Sequence, residues 1–149
     1  MRYHRIKAIY ITMLFFMGLT GLAQMPIFKR YHIADIPGLG WLADFYLTHR
    51  LHYLGAILLL AFFAYIGLDY LLERRKRYRL TGAARVRLIL ICCITTTGVF
   101  RVLKNLPDVG FSPGFTLFID IAHLSSMMGL VLAGSVFLVM KQVWIAPRA

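Results

Sequence analysis

The chain has 149 residues, of which 60% are hydrophobic and 15% charged. An ordinary soluble domain is about half apolar and about a quarter charged. This composition argues against a soluble globular protein and excludes disorder, which requires too little apolar surface to bury a core, while the length fits one domain. The net charge of +11 would suggest nucleic acid in a soluble protein. In a chain this apolar the position of the charges matters more than their sum, because a bilayer sorts them between its faces.

The first apolar stretch runs from Ala8 to Phe28. Arg2, Arg5 and Lys7 before it, and the small residues of Gly21-Leu22-Ala23, imitate a signal peptide. The apolar run is longer than a usual h-region, which predicts an uncleaved first helix. A connection over about Lys29 to Thr48 follows, with the turn signal Pro37-Gly38-Leu39-Gly40 and then Trp41, Phe45 and Tyr46, residues suited to an interfacial belt. The second stretch is about His52 to Leu72. The third is shorter, uncharged only from Leu88 to Phe100, and spans if Arg87 and Arg101 snorkel to opposite faces. Within it Cys92 and Cys93 are adjacent, which excludes a disulfide framework and a Cys-x-x-Cys metal pair and predicts two small buried residues. Covalent c-type haem is excluded, because there is no Cys-x-x-Cys-His. A second connection, about Lys104 to Pro113, leads to the fourth stretch, about Phe115 to Met140, which contains Asp120 and His123.

A span needs about 20 residues at helical rise, and lipid obliges so short a chain to cross as helices. The expected fold is an all-α integral membrane protein, a four-helix transmembrane bundle forming a single domain, with no internal repeat. Arg74, Arg75, Lys76, Arg77, Arg79, Arg85 and Arg87, together with Arg2, Arg5, Lys7, Lys141 and Arg148, put 12 basic residues on one side. Lys29, Arg30, Arg50, Arg101 and Lys104 put 5 on the other. By the positive-inside rule both termini and the 74–87 loop are cytoplasmic, so the charge reports orientation and calls for no nucleic-acid partner. The partner it implies is the lipid bilayer, as a multi-pass protein of a bacterial or archaeal inner membrane.

Four of the five histidines, His32, His49, His52 and His123, fall on the outer half. His52 is near the outer start of the second helix, and His123 is about eight residues, roughly 12 Å, into the fourth. Two histidines from separate helices facing each other inside a bundle hold a b-type haem through one imidazole nitrogen each. His49, three residues before His52 and shallower, is the alternative ligand. Gly55, and the series Ser125, Gly129, Ala133, suit either a receding wall for a flat porphyrin or plain helix packing. Arg50, Arg101 and Lys104 are on the right side to meet haem propionates, or are ordinary flanking charges. Asp120, one turn from His123, either orients its second nitrogen or faces the interface.

These residues give the chain a resemblance to the four-helix cytochrome b membrane subunits of respiratory oxidoreductases, such as the gamma subunit of formate dehydrogenase. Arg50-Leu51-His52 followed by Gly55 resembles the start of the family's second helix, Thr97-Gly98-Val99 its third, Ile121-Ala122-His123 with Gly129 the haem-ligand turn of its fourth, and Thr20-Gly21 the exit of its first. The resemblance implies that His52 and His123 ligate the haem of the outer side. The family's second haem needs histidines where this chain has Lys7 and Phe137, so the resemblance implies one haem b. Two routes are then open: a quinone, menaquinone or ubiquinone, binds near this haem with His32, Asp35 or Arg101 nearby, or the haem relays electrons between protein partners. The partners the resemblance implies are iron–sulfur or multihaem cytochrome subunits of a membrane complex. Two other readings compete. In a haem-free membrane anchor, His52 and His123 would only hydrogen-bond. A proton path is thinly supplied, since the inner half of helix four offers only Ser125, Ser126 and Ser135.

Overall fold

Asp44, Thr81 and Ser112 each stand before a long apolar run and cap it. Their side chains accept hydrogen bonds from the backbone N–H groups of Leu47, Ala84 and Phe115, which otherwise lack a partner at a helix start. In the computed structural model, which describes residues 2–148 and side chains from Arg5 onward, four long helices result. They are α1 (Arg2–Ala23), α3 (Phe45–Asp69), α4 (Gly82–Leu103) and α5 (Pro113–Val139). Each is long and apolar enough to cross a membrane. The side chains of Arg2 and His4, assigned to the cytoplasmic flank from sequence, lie outside the described residues.

The helix limits differ from the apolar stretches in instructive ways. Helix α1 stops at Ala23 rather than Phe28, because Pro26 follows and disfavours helical backbone at the residue before it. The connection then makes a short helix α2 (Ile27–Arg30) and two 3₁₀ turns, Ile33–Asp35 and Gly40–Ala43. Helix α3 begins at Phe45, a full turn before Arg50, so the Asp44 cap overrides the charged residues that hid the start. It continues as a π-helical turn over Tyr70–Arg74. Helix α5 opens with Pro113 at its first turn, where a missing N–H is harmless. It closes on Lys141 in the left-handed conformation (φ 52°), with Gln142 N–H donating to the Phe137 carbonyl at 2.8 Å, the paired closure of a Schellman motif.

The chain divides into two compact units, residues 1–73 and 74–149. In the first, α1 packs on α3, and the contacts Gln24–His49, Thr20–His52 and Tyr10–Phe63 run in opposite directions along the two helices, so the pair is antiparallel. In the second, α4 packs on α5 in the same sense through Lys104–Asp120, Thr97–His123 and Arg87–Phe137. Each unit is thus a helical hairpin.

The second unit also contains a feature that the sequence reading lacked. Strand β1 (Tyr78–Leu80) pairs antiparallel with β2 (Ile145–Pro147), Tyr78 opposite Pro147 and Leu80 opposite Ile145. Thr81 locks the ribbon to the helix: its hydroxyl donates to the Val143 carbonyl at 2.6 Å while accepting from Ala84 N–H. The ribbon brings Trp144 over Arg87. That arginine does not snorkel out to a membrane face as expected. It is 7% exposed, with its guanidinium carbon 4.8 Å from the Phe137 ring centroid and 5.0 Å from that of Trp144. Desolvated cation–π contacts contribute about 2 kcal/mol or more. Arg87→Met, which keeps the stem and removes the charge, is therefore expected to lower the unfolding midpoint of the detergent-solubilised chain, and Trp144→Leu to do the same. An unchanged midpoint in both variants would refute the aromatic clamp. Cys92 and Cys93, expected to be buried, are exposed on α4 instead, because the face of α4 turned toward α5 is the one carrying Thr97 and Leu90.

Candidate functional site

Each hairpin holds one histidine well inside its second helix, bonded to a threonine of its first. His52 is seven residues past the start of α3 and His123 ten past the start of α5, roughly 10 Å and 15 Å along the axis. His52 is thus deeper than a position at the helix start, because α3 begins earlier than the apolar pattern showed.

The first dyad joins His52 Nδ1 to Thr20 Oγ1 at 3.0 Å. Thr20 is fully buried. Its hydroxyl lies 2.8 Å from the carbonyl of Phe16, one turn back along α1. A hydroxyl has one proton, and the shorter contact is to the carbonyl, which can only accept. The threonine therefore donates to Phe16 and turns an oxygen lone pair toward His52 Nδ1. The second dyad repeats these relations. His123 Nδ1 is 3.0 Å from Thr97 Oγ1, whose hydroxyl donates to the Cys93 carbonyl at 2.7 Å.

A glycine follows each threonine, and the histidine ring rests against it. A Cβ on Gly21 would stand 3.1 Å from His52 Cε1, and one on Gly98 would stand 3.4 Å from His123 Cε1. The Thr-Gly pair thus offers an acceptor for Nδ1–H and a surface flat enough for the ring edge. The sequence showed both pairs but no repeat. Three residues shared at different spacings, 32 from Thr20 to His52 and 26 from Thr97 to His123, leave no periodic signal.

Asp120 does not take the role of orienting His123; Thr97 does. The Asp120 carboxylate instead receives Lys104 Nζ on both oxygens at 2.8 Å, with Arg101 Nε at 3.5 Å. Charge attraction to two cations on the facing helix draws it there. One carboxylate between two cations leaves local positive charge at this end of the second hairpin.

His49, one turn from His52, has a different setting. Its Nδ1 is 3.0 Å from Gln24 Oε1, an acceptor, and Gln24 Nε2 in turn donates to the Thr20 carbonyl. The ring stacks on Phe45 at 5.4 Å between centroids and leans on Tyr53 at 4.3 Å. Arg50 is exposed on α3. Gly55 is buried against α1, where a Cβ would lie 2.7 Å from Met17 Sδ and 3.0 Å from Phe16 Cε1. Its place is the close approach of two helices. Gly129 meets Leu90 of α4 in the same manner, at 3.4 Å. His32 bonds Asp35 at 2.8 Å in the connection after α1, both strongly exposed.

Among the described residues no three His, Cys, Asp or Glu side chains gather as a metal-binding group. No family model, curated protein or solved structure matches the chain.

Proposed function

We propose that the protein is a b-type haem membrane subunit of a respiratory oxidoreductase complex, in which His52 and His123 are the residues that would hold haem b. The observation that carries this reading is the pair of matching dyads. Each of two antiparallel hairpins keeps a histidine inside a helix long enough to span a membrane, with its Nδ1 3.0 Å from a threonine hydroxyl of the facing helix. A neutral imidazole is what iron ligation requires, and an ionisable residue within a membrane span marks function by default. The donor set therefore fits haem.

In this reading the chain anchors partner subunits carrying iron–sulfur clusters or c-type haems in a bacterial or archaeal inner membrane, both termini cytoplasmic. It exchanges electrons with menaquinone or ubiquinone. When bound, haem supplies a one-electron carrier. The protein's part is to fix the ligands, set the polarity around them and exclude water. Arg101 and Lys104, only partly neutralised by Asp120, are suited to meet propionates at the interface, and Arg50 is a further candidate for that role. His49, carried by Gln24, is the alternative ligand on α3.

The test is a visible spectrum of the full chain, purified in detergent from cells supplied with haem. One haem per chain, with a Soret band and a dithionite-reducible alpha band, is the expected result. Absence of both bands would overturn the reading and favour a haem-free anchor.

A further inference from the structure

We propose that Thr20 and Thr97 are positioning residues that set the proton of His52 and His123 on Nδ1, the tautomer in which Nε2 would ligate a haem iron. This rests on the cytochrome reading above. The argument is one of donor and acceptor supply. Each threonine hydroxyl spends its proton on a carbonyl of its own helix, Phe16 at 2.8 Å or Cys93 at 2.7 Å. Such back-bonding to the preceding turn is common for threonine inside helices. Here it has a second effect. With the proton committed, the oxygen offers only lone pairs to the neighbouring helix, and an imidazole 3.0 Å away can satisfy that only by donating from Nδ1. The adjacent glycine, Gly21 or Gly98, lets the ring settle edge-on against the same helix and fixes its rotation.

The same bond tunes the ligand. Donation from Nδ1–H to an oxygen raises the electron density on the ring and its basicity toward a metal. A more basic pair of imidazoles would stabilise the ferric state of a bound haem. Because the two hairpins carry the same device, the two threonines act in the same direction.

The chain labelled with 15N-histidine, reconstituted in bilayers, gives the direct measurement, since imidazole nitrogen shifts distinguish Nδ1–H from Nε2–H without haem. The informative variants are Thr20→Val and Thr97→Val, which keep the shape and remove the oxygen, and Thr20→Ser and Thr97→Ser, which keep it. Wild type and serine variants are expected to show Nδ1–H at His52 and His123. Each valine variant is expected to lose that preference at its own histidine only. Loaded with haem, each should also retain it about 10- to 100-fold less well, the usual penalty for removing a second ligand-orienting partner, with a raised midpoint potential and recovery in serine. The proposal is overturned if the valine variants keep the Nδ1–H signal, or if haem retention and potential stay at wild-type values. A wild-type chain with Nδ1–H histidines that binds no haem would overturn the cytochrome reading, and the haem-facing half of this proposal with it, while the tautomer signal still reports the dyads.

Discussion

Replacing either dyad histidine is expected to abolish haem retention: His52→Ala and His123→Ala should each yield a chain that reaches the membrane, folds, and shows no Soret band. A haem held by two protein imidazoles would lose half of its protein–iron bonds when one is removed. The variant should still assemble its hairpin, because the packing is carried elsewhere. In the first unit Gly55 seats Met17, and Tyr10 meets Phe63 at 6.2 Å. In the second, Lys104 and Asp120 pair across the helices at 2.8 Å and Arg87 is clamped by Phe137 and Trp144. Helix content by circular dichroism should therefore be near wild type, which separates loss of ligand from loss of fold. His4→Ala is expected to leave the spectrum intact. His49→Ala discriminates further. With Gln24 as its partner rather than a threonine, His49 stands outside the repeated arrangement. Its removal should leave one haem per chain in place. If haem survives His52→Ala and disappears in His49→Ala, the ligand of α3 is one turn shallower than proposed.

The four helices, each long and apolar enough to cross a membrane, were legible from composition and apolar run length. The positions of the helix ends were less so. Polar residues at the start of α3, His49 and Arg50, read as the end of a loop, whereas the Asp44 side chain on Leu47 N–H extends the helix past them. The β1–β2 ribbon was invisible because its strands are three residues each and β1 carries arginine in a run that the positive-inside rule already explained. The histidines stood out by residue type. Their partners did not, because a threonine inside an apolar helix reads as neutral, and which helix face meets which is a tertiary fact. Thr20 and Thr97 stood in the resemblance without a chemical role. Their chemical role emerges from two distances apiece, one to a carbonyl and one to an imidazole. Asp120 was open between a bond to His123 along the helix and a plain charge, and the two cations that α4 brings to it decide against the first.

The largest expected effect on the first hairpin itself comes from Gly55. An added methyl group would stand 2.7 Å from Met17 Sδ and 3.0 Å from Phe16 Cε1, closer than packed atoms sit. Met17 ends in a flexible thioether and can swing aside. Phe16 is less free, since its carbonyl is the acceptor that holds the Thr20 proton and its ring borders the groove formed with Leu51, Leu54 and Leu58. Gly55→Ala should thus shift Met17 and weaken the α1–α3 pair. Gly55→Val, whose branched Cβ cannot be turned away from α1, should cost about 1–3 kcal/mol or more, the usual range for overpacking. The measurement is the unfolding midpoint in detergent, with the double variant Gly55→Ala, Met17→Ala as the control. Truncating Met17 opens the space that the new methyl needs, so the double variant should be more stable than the sum of the single losses, a positive coupling of the size seen for residues in contact. Purely additive losses would mean that Gly55 does not seat Met17. Because the same contact lies one turn from the Thr20–His52 bond, Gly55→Val should also loosen that bond. The same sample should then show a mixed tautomer at His52 and an unchanged one at His123, which belongs to the other hairpin.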